Sequence, residues 1–256
     1  MSEDIYILEK NDVKNLIREK KIIELRNHLT EMYDADIAEL MDDLNDKVLA
    51  LLLFRMLPKL KAVEVFSFLS VDNQRDIITA ISETELPYII DNIFFDDMID
   101  MIEEMPAEFV NRVLINIPPE KRKLVNQFLK YPEDSAGSLM TIEYVRLTEG
   151  MTVREALNHV RETGLKKETV YTCYITTIHE RLIGIVSLRA LVTEDPEKKI
   201  TEIMERDVIV VNTHDDQEIV AEMFRRYDLL AMPVVDNQER LTGIITVDDI
   251  LDVMEQ

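Results

Sequence analysis

The chain has 256 residues, with 51 acidic against 29 basic side chains and a formal net charge of −22. A surface this negative lacks the basic footprint that nucleic acid requires and the polybasic face of a protein that docks on anionic lipid. It suits cations or a basic partner instead, and 46% apolar residues promise a packed core.

The opening Met1-Ser2-Glu3-Asp4 has neither a basic nor an apolar leader region, and the longest apolar run is residues 48–54. That run is far short of the roughly 20 residues of a membrane-spanning helix, so the chain as given is expected to be soluble and cytoplasmic. The first half predicts helices only. Apolar residues recur at helical spacing, as Ile37, Leu40, Met41 and Leu44, then Val48, Leu51, Leu52 and Met56, then Val63, Phe66 and Leu69. Prolines at 58, 87, 106, 118, 119 and 132 limit each helix to about ten to fifteen residues. No glycine occurs before Gly137. Short helices with short polar joints predict an all-α superhelical stack. Within it, residues 91–110 carry seven acids and no base. Asp96, Asp100, Glu103 and Glu104 fall on one helical side, expected to face solvent, with Phe94, Met98, Met101, Ile102 and Met105 opposite.

From about Tyr131 the texture changes. All five glycines lie beyond this point, and β-branched runs appear at 175–178, 183–186, 208–211, 232–235 and 244–246. They alternate with helical patterns at 153–160 and 219–224, which predicts α/β structure. The region also repeats itself. Glu180-Arg181-Leu182-Ile183-Gly184-Ile185-Val186-Ser187 parallels Glu239-Arg240-Leu241-Thr242-Gly243-Ile244-Ile245-Thr246, and Leu139-Met140 parallels Ile203-Met204. Two copies of a unit of about 60 residues follow the helical region. The second ends in another acidic helix, with Asp248, Asp249, Asp252 and Glu255 at helical spacing, and residues 201–256 hold fourteen acids against four bases.

Acid faces usually serve solubility. Here they are scarcely neutralised locally. Two carboxylates about 6 Å apart repel by roughly 2–3 kcal/mol at an effective dielectric near 20, and a divalent cation reverses that sign. Mg2+ fits, because it takes oxygen ligands, keeps several waters and needs only one or two carboxylates. A softer metal does not. Cys173 is the single cysteine, expected to pack in a strand, and His28, His159, His179 and His214 lack ligand spacing. The lone cysteine also forbids an intrachain disulfide and points to a reducing compartment.

The segment Met232-Pro233-Val234-Val235-Asp236 followed by 241–249 resembles a CBS domain, and the repeat makes a tandem pair. Tyr131-Pro132-Glu133-Asp134-Ser135-Ala136-Gly137-Ser138-Leu139-Met140-Thr141 further resembles the joint between helical domain and CBS pair in MgtE-type magnesium transporters, as do 185–189, 226–230 and 246–253. The resemblance implies an N-terminal superhelical domain over 1–131, a first CBS domain over 132–199 and a second over 200–256. It also implies a transmembrane pore that these residues do not include, the family continuing toward the membrane beyond Gln256. It implies a homodimer formed through the CBS domains, a place at the cytoplasmic face of the cell membrane, and regulation by bound Mg2+. The metal-facing positions it implies are Glu64, Asp96 and Asp100 in the helical domain. In the second CBS unit they are Asp216, Glu218, Asp228, Asp249 and Asp252, with the backbone carbonyl of Gly137 at the joint. Asp215 or Asp216 could instead cap the helix that follows.

An adenylate-binding CBS module is the other reading. Its Gly-x-x-Ser/Thr-x-x-Asp pattern is met by Gly243, Thr246 and Asp249, but the first unit has Ala190 where the acid belongs. A protein-docking solenoid fits residues 1–131 taken alone. An enzyme is not expected, since no phosphate loop, nucleophile elbow or metal-hydrolase histidine motif is present.

Overall fold

The computed structural model describes residues 8–82 and 84–255, apart from the side chains of residues 252 and 255. Ten short helices come first: α1 (Lys10–Arg18), α2 (Ile22–Glu31), α3 (Asp34–Asp43), α4 (Lys47–Met56), α5 (Lys59–Ser67), α6 (Val71–Ala80), α7 (Leu86–Asn92), α8 (Phe95–Glu104), α9 (Ala107–Asn116) and α10 (Pro119–Phe128). The prolines open these helices rather than end them. Pro58 and Pro106 are the N-caps of α5 and α9, and Pro119 begins α10, where a missing N–H costs nothing. Each helix is therefore only seven to ten residues long, shorter than the proline spacing suggests.

The chain divides into two compact units, one of Met1–Ile93 with Asp100–Arg122 and the other of Phe94–Ile99 with Lys123–Gln256. In the first unit α3 packs on α5, α4 on α6, α5 on α7 and α7 on α9, as a helical stack requires. Ile37, Met41, Leu53, Val65, Phe66 and Ile77 fill its interior. Long cations close the helix C-termini: Lys61 Nζ donates to the Met32 carbonyl at 2.6 Å, Lys121 Nζ to Ile90 at 2.9 Å, and Arg112 to Ile81 at 3.0 Å. The periodic reading of 48–56 is corrected here. Ala50, Leu53 and Phe54 are the buried residues of α4, while Val48 is 76% exposed.

The second unit continues with α11 (Ala136–Leu139), β1 (Tyr144–Thr148), α12 (Val153–Thr163), a 3-10 turn (Gly164–Lys166), β2 (Thr169–Thr176), β3 (Leu182–Ser187) and α13 (Leu188–Thr193). The pattern then recurs as α14 (Ile200–Ile203), β4 (Val211–Asn212), α15 (Gln217–Tyr227), β5 (Ala231–Val235), β6 (Leu241–Thr246) and α16 (Val247–Glu255). Both sheets have the same topology, with strands in sequence order, the first pair parallel and the second antiparallel. Of the expected 208–211 strand only Val211 joins a ladder, together with Asn212 beyond it. The strand expected at 175–178 instead begins at Thr169 and ends at Thr176. Cys173 is fully buried in β2 beside Val145 and Val186, as expected of a packed strand residue.

The sequence repeat has a structural counterpart. Glu180 and Glu239 both take left-handed backbone at their turns, with φ of 65° and 61°. Each copy lends its leading segment to the other. Thr141 and Ile244 exchange both backbone hydrogen bonds, at 2.8 and 3.0 Å, and Glu205 and Ile185 do the same at 2.9 and 3.0 Å. Gly243 and Gly184 permit these crossings. A Cβ on Gly243 would lie 2.7 Å from the Thr141 carbonyl oxygen, and one on Gly184 the same distance from that of Glu205. The paired methionines, Met140 and Met204, cover the two glycines.

Candidate functional site

The start of α8 belongs to the second unit and is held there by a ladder of rings. Phe95, fully buried, meets Phe128 edge to face at 4.6 Å, Phe128 meets Tyr131 at 5.6 Å, and Tyr131 meets His214 at 6.3 Å. Tyr131 comes this close because residue 137 is glycine, where a Cβ would stand 2.6 Å from the tyrosine ring. This packing accounts for the Tyr131-to-Gly137 motif and fixes Asp96, the neighbour of Phe95.

Asp96 is 8% exposed, and its Oδ1 is buried and accepts no hydrogen bond. The expectation that it faces solvent is therefore corrected. The apolar arc of α8 also takes in Phe95 and Ile99, both buried, and carries Asp96 inward with it, leaving Asp100, Glu103 and Glu104 exposed. Burial, followed by the charges of Asp249, Asp97, Glu168 and Glu143, pushes its carboxyl up to about 9. Glu168, just before β2, is half-buried with an unpartnered Oε2. Burial and the neighbouring Asp248, Asp249, Asp97 and Glu143 push it up to about 8. Asp249 lies in the first turn of α16. Burial raises it to about 6, opposed by hydrogen bonds from Thr246 and reinforced by Asp248 and Asp97.

The crossed segments bring these acids together. Thr141 is tied to Ile244, so Glu143, which accepts from the Thr141 hydroxyl at 2.9 Å, follows toward the 246–249 turn. The Glu168 N–H then donates to the Glu143 carbonyl at 2.8 Å. Lys167 is the nearest cation in sequence, and burial lowers its pKa against the pull of Glu143. Among the described residues no three His, Cys, Asp or Glu side chains are placed to hold one metal ion. The two orphaned carboxylate oxygens nevertheless suit a hydrated hard cation, which needs few direct ligands.

Of the sequence-predicted positions, the structure sets Asp249 within electrostatic reach of Asp96. It also sets Gly137 beside the Asp216 segment, through the Gly137 N–H to Thr213 carbonyl bond of 2.9 Å and the Ser135–Asp216 bridge. Asp216 is the N-cap of α15 and accepts from the Glu218 N–H at 2.9 Å, so the capping alternative is realised. Asp228 is the C-cap of the same helix, exposed and left-handed at φ 51°. Glu218 is exposed in its first turn. Glu64 in α5 and Asp100 in α8 are exposed and belong to the first unit. Asp252 lies in α16, with its side chain outside the described residues. Sequence reasoning missed Glu143 and Glu168, and read Asp97 and Asp248 only as members of acidic helices. The available signal was the Met140/Met204 echo, which marks the segments that cross to the opposite copy.

Residues 32–134 match the family model of the MgtE intracellular N domain, and 136–197 and 200–256 each match that of the CBS domain. The crystal structure of the cytosolic domain of the Mg2+ channel MgtE in complex with ATP is 38% identical and covers 95% of this chain and 99% of its own, with a TM-score of 0.87. This chain belongs to the MgtE family. The magnesium transporter MgtE of Thermus thermophilus is 39% identical over 235 residues, 90% of this chain and 52% of that protein. The MgtE of Bacillus subtilis is 30% identical over 251 residues, 93% of this chain and 53% of its own length. The chain thus spans about half the length of the curated MgtE relatives it matches. Among the described residues no helix is long and apolar enough to cross a membrane.

Proposed function

We propose that this chain is the Mg2+-sensing region of a magnesium transporter, organised as a helical domain over 1–131 and CBS domains over 132–199 and 200–256. The observation that carries the reading is the pair of buried carboxylate oxygens without donors, on Asp96 and Glu168, whose carboxyls are raised by burial and by neighbouring acids, Asp249 among them. Asp96 and Asp249 would hold a hydrated Mg2+, and Asp100 and Asp252, one turn further along each helix, are further metal-facing positions. Gly137, Asp216 and Glu218 would form a second cation locus, and Asp228 and, within the helical domain, Glu64 are further metal-facing positions. The ion supplies positive charge that cancels carboxylate repulsion. Without it, pairs about 6 Å apart repel by roughly 2–3 kcal/mol each, and the helical and CBS domains separate. With it, the compact state gains in proportion to its tighter binding, which holds a transmembrane pore shut in a CBS-mediated homodimer at the cytoplasmic face. The region senses and gates; it catalyses nothing.

Small-angle scattering of this chain with and without Mg2+ tests the reading. A smaller radius of gyration in Mg2+ is expected. An unchanged radius would remove the mechanism.

A second reading, adenine-nucleotide regulation, is favoured by the solved relative that carries ATP. In this chain Gly243, Thr246 and Asp249 retain the pattern, but the first CBS domain has Ala190 in place of the acid, its N–H donating to the Ser187 hydroxyl at 3.1 Å.

A further inference from the structure

The start of α8 and the second half of α10 fall in the same compact unit as the CBS pair. Ion pairs do not hold the start of α8 to the turn ahead of α15. Residues 91–110 and 215–222 carry acids and no base, so these two segments have no opposite charges to pair. Uncharged rings make the attachment instead. Phe95 and Phe128 are buried and cross edge to face at 4.6 Å, Phe128 meets Tyr131 at 5.6 Å, and Tyr131 meets the exposed His214 at 6.3 Å. Backbone fixes the ladder on both sides of Tyr131. Its own N–H donates to the Phe128 carbonyl at 2.8 Å. Beyond it, three bonds clip 134–137 to 213–217: the Gly137 N–H to the Thr213 carbonyl at 2.9 Å, the Ala136 N–H to that of Asp215 at 2.7 Å, and the Gln217 N–H to that of Asp134 at 2.8 Å. The His214 ring is held in turn, its Nδ1 sharing a hydrogen bond of 3.0 Å with the Thr213 hydroxyl.

We propose that this ladder is a latch that needs no ion, and that Tyr131 is its positioning residue, holding the start of α8 on the second CBS domain whether or not a cation is bound. Tyr131 is the rung that joins α10 to the 213–217 turn, so its loss parts the two ends. Edge-to-face ring contacts rest on buried area and on the ring quadrupole, which a chelator does not touch. An attachment made of carboxylates around a cation opens in chelator; this one stays closed. The inference goes beyond the Mg2+-sensing reading and stands whether or not that reading holds.

The test is hydrogen exchange of the whole chain in EDTA for wild type, Tyr131→Leu, Tyr131→Phe and the exposed control Tyr171→Leu. In Tyr131→Leu the amides of 94–99, 125–131 and 213–217 are expected to exchange roughly 10-fold faster, from the loss of two ring contacts. Tyr131→Phe, which keeps the ring, and Tyr171→Leu should exchange at the wild-type rate. An unchanged rate at 94–99 in Tyr131→Leu, or a rise spread evenly over the chain, overturns the inference. Wild-type protein with labelled Phe and Tyr rings gives a readout that needs no variant. Nuclear Overhauser contacts between the Phe95 and Phe128 rings, and between the Phe128 and Tyr131 rings, should be as strong in EDTA as in Mg2+. Their disappearance in EDTA would show that an ion, and not the rings, holds the start of α8, and rejects the latch.

Discussion

Asp249 Oδ2 accepts two hydrogen bonds from Thr246, one from the backbone N–H at 3.2 Å and one from the hydroxyl at 2.7 Å. The carboxylate reaches back from the first turn of α16 to the residue before it, as the acidic half of a capping box does. The same group is also a member of the acid cluster. One side chain therefore has a structural duty and a repulsive one, and substitutions separate them. Thr246→Ala removes one donor to the carboxylate and is expected to cost about 1 kcal/mol in chelator. Asp249→Asn keeps an acceptor oxygen and removes a charge, so in chelator it should be neutral or stabilising, while Mg2+ no longer raises its melting temperature. Thermal unfolding with EDTA and with Mg2+ checks both. A loss above about 2 kcal/mol for Asp249→Asn in EDTA would show that the cap outweighs the repulsion.

The cluster also predicts a pH dependence of stability once divalent cations are removed. Asp96 and Glu168 rise from 3.8 and 4.5 to about 9 and about 8, and Asp249 rises from 3.8 to about 6. The charged groups facing them are Asp97, Glu143 and Asp248, with Lys167 near Glu143 and Arg146 near Lys167. Across this window the folded chain binds more protons than the unfolded chain, so stability falls as pH rises. The contribution is whole below the ordinary carboxylate values and is lost as pH passes the folded ones. In EDTA the melting temperature should drop by several degrees between about pH 6 and about pH 9, and Asp96→Asn should flatten the slope. A melting temperature that climbs over this range would contradict the buried-acid description.

The two crossing glycines give a third prediction. Gly243→Ala places a methyl 2.7 Å from both the Thr141 carbonyl oxygen and the Met140 sulfur, and Gly184→Ala places one 2.7 Å from the Glu205 carbonyl oxygen. Backbone must move in both, at about 1–3 kcal/mol. Only Gly243→Ala disturbs the segment that carries Glu143, so it should also weaken Mg2+ protection, whereas Gly184→Ala should lower stability alone. Equal Mg2+ midpoints in the two variants would separate the crossing from the acid cluster.

The sequence made the division into helices and mixed sheets legible because its two periodicities do not overlap, and the repeat was legible because Gly184 and Gly243 sit in matching eight-residue strings. Direction within an apolar run was not. Residues 48–54 are apolar throughout, so no stripe distinguishes the buried Leu53 from the exposed Val48. Asp96 was misjudged for a related reason. A helix whose apolar arc holds Phe95, Met98, Ile99 and Ile102 has too little polar face for every acid, and one of them turns inward. Glu143 and Glu168 were invisible because their neighbours are set by the exchange of segments between the two copies, which local spacing does not encode.

The first CBS unit supplies the last prediction. Ser187 caps α13 through the Ala190 N–H at 3.1 Å, and Thr246 shares its hydroxyl with Asp249 at the equivalent place in the second unit. The two units thus use the same turn, but only one carries the acid that could hold a ribose hydroxyl. Ala190→Asp restores it. Titration calorimetry with ATP and AMP, at fixed Mg2+, should show weak or no heat for wild type. Ala190→Asp should gain about 1.5–3 kcal/mol, the worth of a hydrogen bond to a charged group, or roughly 10- to 150-fold in affinity. Arg189 is exposed next to this position. Its replacement by alanine in the Ala190→Asp background should remove part of the gain for ATP more than for AMP, because the extra phosphates are what a guanidinium would read. Tight nucleotide binding by the wild-type chain would instead make adenine-nucleotide regulation the leading account of the CBS pair.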